Sequence, residues 1–297
     1  MYELSDPTLE ALRSAGLEAE TVARIVADAL AEDLGPDWLD VTSVATIPPG
    51  QADVADLVAR ADGVVAGLPV AAAVFDIAGG TAVAFASTVR DGQYVAHGDV
   101  LATVAGTTRA LLAAERTALN LLSRMSGVAT HTRAWANALT GTKAVVLDTR
   151  KTTPGLRVLE KYAVRVGGGT NKRMGLYDVA MVKDNHRLAT DGVAAAYRRV
   201  REAFPDVPVQ VEVSSVEEAV EAVQAGATFL LCDNMSPRLL REVVAQVGDR
   251  AQLEATGRLS LELAREYAAT GVDFLSVGAL THSSPILDIA LDLRPRG

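Results

Sequence analysis

The chain contains one cysteine in 297 residues, so no intrachain disulfide can staple it. Cys232 ends an apolar run, Thr228-Phe229-Leu230-Leu231-Cys232, that reads as a buried strand, and no base adjoins it. It is therefore read as a core residue and not as a nucleophile. Basic surplus is also missing. With 28 Lys+Arg against 37 Asp+Glu the formal net charge is −9, which argues against a general nucleic-acid binder. Any anion must be held by a local basic pocket in an acidic body. Long apolar runs are lacking as well: residues 64–75 are interrupted by Gly67 and Pro69, short of the roughly 18–20 residues a membrane helix needs. The start, Met1-Tyr2-Glu3-Leu4-Ser5-Asp6, has neither the basic region nor the apolar stretch of a secretory signal, so a cytoplasmic location is expected. The four histidines, His97, His131, His186 and His282, are scattered without ligand spacing, so no transition-metal site is expected.

What is present is apolar material in ordered patterns. Hydrophobic residues make up 49% of the chain, enough for one large domain or two modest ones. Residues 6–34 have helical spacing through Leu9, Leu12, Leu17, Val22, Ile25, Val26 and Leu30, which predicts a pair of helices. Residues 53–104 break into short β-prone pieces (54–59, 63–66, 81–86 and 100–104) punctuated by glycine, which predicts a small, mainly antiparallel β unit. A long helix is predicted over 108–126. Beyond Gly141, strand candidates at 144–147, 163–166, 179–182, 209–213, 228–232, 252–254 and 274–277 alternate with helical stretches. That alternation predicts βα units, a parallel sheet and an open or incomplete barrel.

Polar residues gather where these strands end: Asp148-Thr149-Arg150-Lys151, Gly167-Gly168-Gly169, Lys183-Asp184-Asn185, Glu212, Asp233-Asn234, Glu254-Ala255-Thr256-Gly257 and Gly278. In a βα-barrel all those ends share one face, where active sites are built. Arg150, Lys151, Arg173 and Lys183 would then surround one cavity, which implies a multiply anionic substrate. Glu212 and Asp233 are the acidic members. They suit a general acid–base pair, ion-pair partners for the lysines, or oxygen ligands for Mg²⁺ carried with a polyphosphate, and Mg²⁺ is the preferred reading. The late loops Thr256-Gly257 and Gly278-Ala279 offer backbone N–H groups to phosphate.

Several segments resemble the quinolinate phosphoribosyltransferase family. They are Glu32-Asp33-Leu34-Gly35, Asp40-Val41-Thr42-Ser43, Glu115-Arg116-Thr117-Ala118-Leu119-Asn120, Asp148-Thr149-Arg150-Lys151-Thr152-Thr153-Pro154-Gly155-Leu156-Arg157, Glu160-Lys161-Tyr162-Ala163-Val164, Gly167-Gly168-Gly169, Val182-Lys183-Asp184-Asn185-His186 and Ser276-Val277-Gly278-Ala279-Leu280-Thr281-His282. The resemblance implies an α/β fold: an N-terminal α/β-sandwich domain over 1–127, joined by the tail 284–297, and an open seven-stranded βα-barrel over 128–283. It implies phosphoribosyl transfer from phosphoribosyl pyrophosphate to quinolinate with decarboxylation, giving nicotinate mononucleotide. Arg116, Thr149, Arg150, Lys172, Arg173 and Lys183 are expected around quinolinate. Lys151, Glu212, Asp233, Thr256, Gly257, Arg258, Gly278, Ala279 and His282 are expected around phosphoribosyl pyrophosphate, with Glu212 and Asp233 toward Mg²⁺. Lys151, Lys183, Glu212 and Asp233 are the expected catalytic residues. The resemblance further implies a homodimer in which Arg116 enters the partner's site, with assembly above the dimer left open.

Two departures from the family pattern stand out. Asn171-Lys172-Arg173 replaces a usual Asn-His-Arg, keeping positive charge but losing the imidazole. Glu254-Ala255-Thr256-Gly257-Arg258 stands where Ser-Ser-Gly or Ala-Ser-Gly is common, and threonine keeps the hydroxyl. Lys172 leaves room for a paralogue of the same fold that uses another aromatic acid. A non-catalytic small-molecule binder would be expected to have lost the rim charges, and Lys151, Lys183, Glu212 and Asp233 are all present.

Overall fold

The computed structural model describes residues 3–80, 83–190 and 192–295. Thr81 and Ala82, which open the strand expected over 81–86, lie outside the described residues, as do the first two and last two residues of the chain. The helical spacing of residues 6–34 becomes α1 (Asp6–Ser14) and α2 (Ala19–Leu34). Ser5 caps α1 by accepting from the Thr8 N–H, and proline stands in its first turn, where a missing donor costs nothing. A short α3 (Val41–Thr46) follows, capped by Asp40.

The β-prone pieces become β1 (Ala52–Ala59), β2 (Gly63–Val64), β3 (Ala84–Ser87), β4 (Tyr94–Val95) and β5 (Val100–Thr107). Between β2 and β3, where only β structure was expected, residues form α4 (Leu68–Gly79). Eight of its twelve residues are buried, so it is apolar nearly all round and carries no stripe for spacing to reveal. Pro69, which interrupts the apolar run, sits in the helix's first turn. Asp91 holds that end: its carboxylate accepts from Gly67 N–H at 2.7 Å, Leu68 N–H at 3.1 Å and the Tyr162 hydroxyl at 2.7 Å. Burial pushes the Asp91 carboxyl above the usual range, and those three bonds act against the shift.

The long helix is α5 (Thr108–Ala138), which continues well past the expected end at 126. Strand β12 (Ile289–Leu293) pairs antiparallel with β1, Leu57 opposite Leu291, and completes a sheet of order β12-β1-β5-β3. The strand expected at 163–166 is instead the last turn of α6 (Arg157–Val166). Leu159, Tyr162 and Ala163 are buried at helical spacing, which a four-residue apolar window cannot distinguish from a strand. The backbone divides into two compact units: the first is Met1–His131, Thr153–Gly167 and Ser284–Gly297, and the second is Thr132–Thr152 and Gly168–Ser283.

The second unit alternates strand and helix: β6 (Val145–Leu147), β7 (Ala180–Val182), α7 (Asp184–Leu188), α8 (Val193–Ala203), β8 (Val209–Val213), α9 (Val216–Gln224), β9 (Phe229–Asp233), α10 (Pro237–Val247), β10 (Gln252–Thr256), α11 (Ala264–Ala268), β11 (Phe274–Ser276) and α12 (Ala279–His282). The strands are parallel, in the order β6-β11-β10-β9-β8-β7. Among the described residues six strands stand where seven were expected, and Thr170 makes only an isolated parallel bridge to Leu147. The architecture is otherwise the expected one, an α/β-sandwich unit and an open βα-barrel. Val146, Val211, Leu230, Leu253 and Leu275 are fully or almost fully buried in the barrel strands. Cys232 is buried with them, its thiol pushed up to about 12 by burial and by the Glu254 charge, so it is a core residue as expected.

Candidate active site

Every strand of the second unit runs the same way, so the residues at their C-terminal ends meet on one face. There they enclose a cavity of about 290 Å³ lined by residues of that unit alone. Nine of the expected site residues line it: Thr149, Arg150, Lys151, Lys172, Arg173, Lys183, Glu212, Asp233 and Thr256.

Each is fixed by its own local chemistry. After β6, Lys151 N–H donates to Thr149 Oγ1 at 3.0 Å, and Thr281 Oγ1 donates to the Lys151 carbonyl at 2.8 Å, which shapes the loop presenting Arg150 and Lys151. Asp148, fully buried at the end of β6, accepts from Asn171 Nδ2 at 2.6 Å and Lys172 N–H at 2.8 Å. Those bonds hold the segment that carries Lys172 and Arg173. The Arg173 guanidinium donates to the Val179 carbonyl at 2.8 Å, and Asp178 gathers the N–H groups of Met174, Gly175 and Val179 in the same loop.

Beyond β7, Lys183 Nζ lies 2.9 Å from Glu212 Oε2. Asp233 accepts from Asn234 Nδ2 at 2.9 Å, and Asn234 N–H donates to the Thr256 carbonyl at 2.9 Å. Gly257 is required there. At its φ of 95° a side chain is disfavoured, and a Cβ would lie 2.2 Å from Asn234 Oδ1. Gly278 packs against the Lys151 chain and the His282 ring, so a Cβ would crowd both.

The electrostatics are uneven. Burial pulls the Lys172 ammonium below the usual lysine range, Arg173 and Lys183 add to that, and the Glu254 carboxylate acts against it. Glu254 is fully buried and was not expected to take part. Met181, Leu231 and Ser276 also line the cavity unexpectedly, as side chains on β7, β9 and β11 that carry no charge to mark them. The Ser276 hydroxyl is buried there without a hydrogen-bond partner.

Six expected residues do not line the cavity: Arg116, Gly257, Arg258, Gly278, Ala279 and His282. Gly257 and Gly278 sit in the loops that follow the lining residues Thr256 and Ser276, and Ala279 opens α12. Arg258 and His282 are exposed, and Arg258 has an unusual φ of 48°. Arg116 is exposed on α5 in the first unit. Among the described residues no group of three or more His, Cys, Asp and Glu side chains is placed to hold a metal by itself, and no helix is long and apolar enough to cross a membrane.

An open βα-barrel with five cations and two carboxylates converging at its strand ends defines the class: a barrel enzyme for multiply anionic substrates. Comparison with known proteins narrows it. Family models for the quinolinate phosphoribosyl transferase N-terminal and C-terminal domains match residues 40–126 and 128–292, and the chain belongs to that family. It is 48% identical over 295 residues to the nicotinate-nucleotide pyrophosphorylase [carboxylating] of Mycobacterium leprae, covering 98% of this chain and 100% of that one. A probable nicotinate-nucleotide pyrophosphorylase [carboxylating] of Bacillus subtilis is 39% identical, covering 88% and 90%. Among solved structures, the nicotinate-nucleotide pyrophosphorylase of Francisella tularensis superposes with a TM-score of 0.89 at 32% identity, over 94% of this chain and 98% of that one.

Proposed function

We infer that this chain transfers the phosphoribosyl group of phosphoribosyl pyrophosphate to quinolinate, releasing pyrophosphate and CO₂ and leaving nicotinate mononucleotide. The observation that carries the reading is the convergence of Arg150, Lys151, Arg173 and Lys183 with Glu212 and Asp233 on one cavity, in a chain of this family. In the reaction the pyridine nitrogen forms a bond to C1 of the ribose while the C1–oxygen bond breaks, its electron pair leaving with pyrophosphate. The carboxylate at ring position 2 then departs as CO₂, and the ring carbon takes up a proton. Arg150, Arg173 and Lys183 supply charge for the two carboxylates of the acceptor, and the planar guanidinium suits bidentate contact. Lys151, beside Gly278, supplies charge for the phosphates. No covalent nucleophile is required, since fixed charge and positioning serve an electron-poor ribosyl centre and a departing diphosphate.

Glu212 and Asp233 fit Mg²⁺ brought in with the diphosphate. They lie on neighbouring parallel strands facing one cavity, and this cation is commonly held by one or two carboxylates plus substrate phosphates and not by a full protein cage. When bound it would neutralise charge on the leaving pyrophosphate. A homodimer with shared sites belongs to the same reading. Its support is the exposed position of Arg116 and a second, apolar groove that shares Arg150, Arg173, Met181 and Lys183 with the cavity wall. Leu176, Tyr177 and Phe204 line that groove and are exposed, a surface for a partner to cover.

The test is product analysis after incubation with quinolinate, phosphoribosyl pyrophosphate and Mg²⁺, with nicotinate as the competing acceptor. Nicotinate mononucleotide, pyrophosphate and CO₂ in equal amounts are expected from quinolinate. Turnover of nicotinate with none of quinolinate would overturn the acceptor.

A further inference from the structure

One cation on the cavity wall is paired with a carboxylate that solvent does not reach. Lys172 Nζ lies 2.5 Å from Glu254 Oε1, with the lysine side chain 11% exposed and the glutamate side chain 0%. The other carboxylate oxygen accepts from Gln210 Nε2 at 2.6 Å, and Gln210 is itself fully buried. Glu254 is thus gripped from two sides, by the segment after Thr170 and by β8, while Lys172 faces the cavity.

A close ion pair of this kind is net neutral, so Lys172 adds little to the attraction that Arg150, Arg173 and Lys183 exert on an anion. The reverse dependence is larger. Without Lys172, an ionised Glu254 would stand bare behind the wall that must receive carboxylates, in surroundings where water screens little. Its field already reaches Cys232 on the neighbouring strand. Arg173 and Lys183 both bear on Lys172, and Glu254 is the charge that favours its ammonium form.

We propose that Lys172 governs acceptor affinity by cancelling the charge of Glu254, with Gln210 as the second anchor of that carboxylate. Lys172 and Glu254 are then positioning residues that set the sign of the cavity wall, and Lys172 is not itself the carboxylate clamp. This rests on the reading of quinolinate as acceptor.

The test is calorimetric titration of quinolinate, without phosphoribosyl pyrophosphate, into the wild type, Lys172→Met, Glu254→Gln and the double variant. Lys172→Met should bind quinolinate about a hundredfold more weakly, because it leaves a buried carboxylate uncompensated. Glu254→Gln should bind at least as tightly as the wild type. The double variant should return to within about fivefold of the wild type, since it carries neither charge. Affinity for phosphoribosyl pyrophosphate should hold steady across the series. A double variant as weak as Lys172→Met would make the lysine a direct ligand and overturn the proposal, and so would a Lys172→Met variant that binds like the wild type. Should Lys172→Met not fold, the double variant decides alone: near-wild-type binding supports charge cancellation and hundredfold weaker binding refutes it. A wild type blind to quinolinate would defeat the acceptor assignment instead. The same series titrated with nicotinate would then decide the role of Lys172, because a bare Glu254 repels any anion.

Discussion

Lys183 Nζ and Glu212 Oε2 sit 2.9 Å apart, so a cation assigned to the acceptor and a carboxylate assigned to the metal restrain each other across the ends of β7 and β8. Lys151, in contrast, makes no side-chain hydrogen bond or ion pair among the described residues. Both ammonium groups are expected to act on charge that develops in the reaction. Lys151→Ala and Lys183→Ala should each lower kcat/KM by at least about a hundredfold, the usual effect of removing a charge that stabilises the transition state. Far-UV circular dichroism should be little changed. Wild-type activity in either variant would remove that lysine from the site.

Glu212→Gln and Asp233→Asn should weaken the Mg²⁺ dependence of turnover more than they weaken quinolinate binding. Both carboxylates line the cavity from adjacent strands, and Asp233 stands beside the Asn234–Thr256 contact at the loop after β10. Metal titration of the rate, set against quinolinate calorimetry, separates the effects. Loss of quinolinate affinity with an intact metal response would reverse the assignment.

Arg116 gives a test of shared sites. Arg116→Ala and Lys151→Ala homodimers should each be nearly inactive, one lacking the arginine in both sites and the other the lysine. After subunit exchange, random pairing makes half the dimers mixed, each with one intact site, so activity should recover to about a quarter of wild type. Exchange confirmed by native mass spectrometry without recovery would mean that Arg116 serves its own subunit or none.

Cys232 predicts an alkaline effect. Its folded thiol is pushed up to about 12 from an ordinary 9.0, so in the fold it stays protonated after the unfolded chain has begun to ionise. The stability linked to this group is present below pH 9 and is lost progressively as pH rises toward 12. Chemical denaturation should show the wild type losing about 1.4 kcal/mol relative to Cys232→Ala between pH 8 and pH 10. A constant offset between the two proteins across that range would refute the buried-thiol account. Native protein should also resist thiol reagents at pH 8 until it unfolds.

The rim was legible in the sequence because a parallel βα sheet brings every strand end to one side, so charge at the ends of apolar runs is itself a map. Lys151, Lys183, Glu212 and Asp233 all line the cavity on that ground. Glu254 shows where the map stops. It stands in the same alternating pattern as Glu212, Gln252-Leu253-Glu254 against Gln210-Val211-Glu212, and nothing in the letters distinguishes a carboxylate sealed inside the barrel from one facing substrate. The difference comes from Gln210 and Lys172, both distant in sequence. Helix α4 was missed for a related reason: burial on nearly all sides erases the periodicity that announces a helix. Residues 163–166 misled in the opposite way, since four apolar residues fit either a strand or the end of α6.

The pairing of β12 with β1 reaches into the order of synthesis. The ribosome delivers β1 before the barrel strands, yet the strand that covers its outer edge emerges only after them. Throughout translation of the second unit the nascent first unit carries an uncovered strand edge, the kind of surface that recruits other chains. The first unit is therefore completed only after the second has been made. A message truncated even slightly short of β12 should yield a protein with its cavity residues all encoded and its first sheet still open to aggregation.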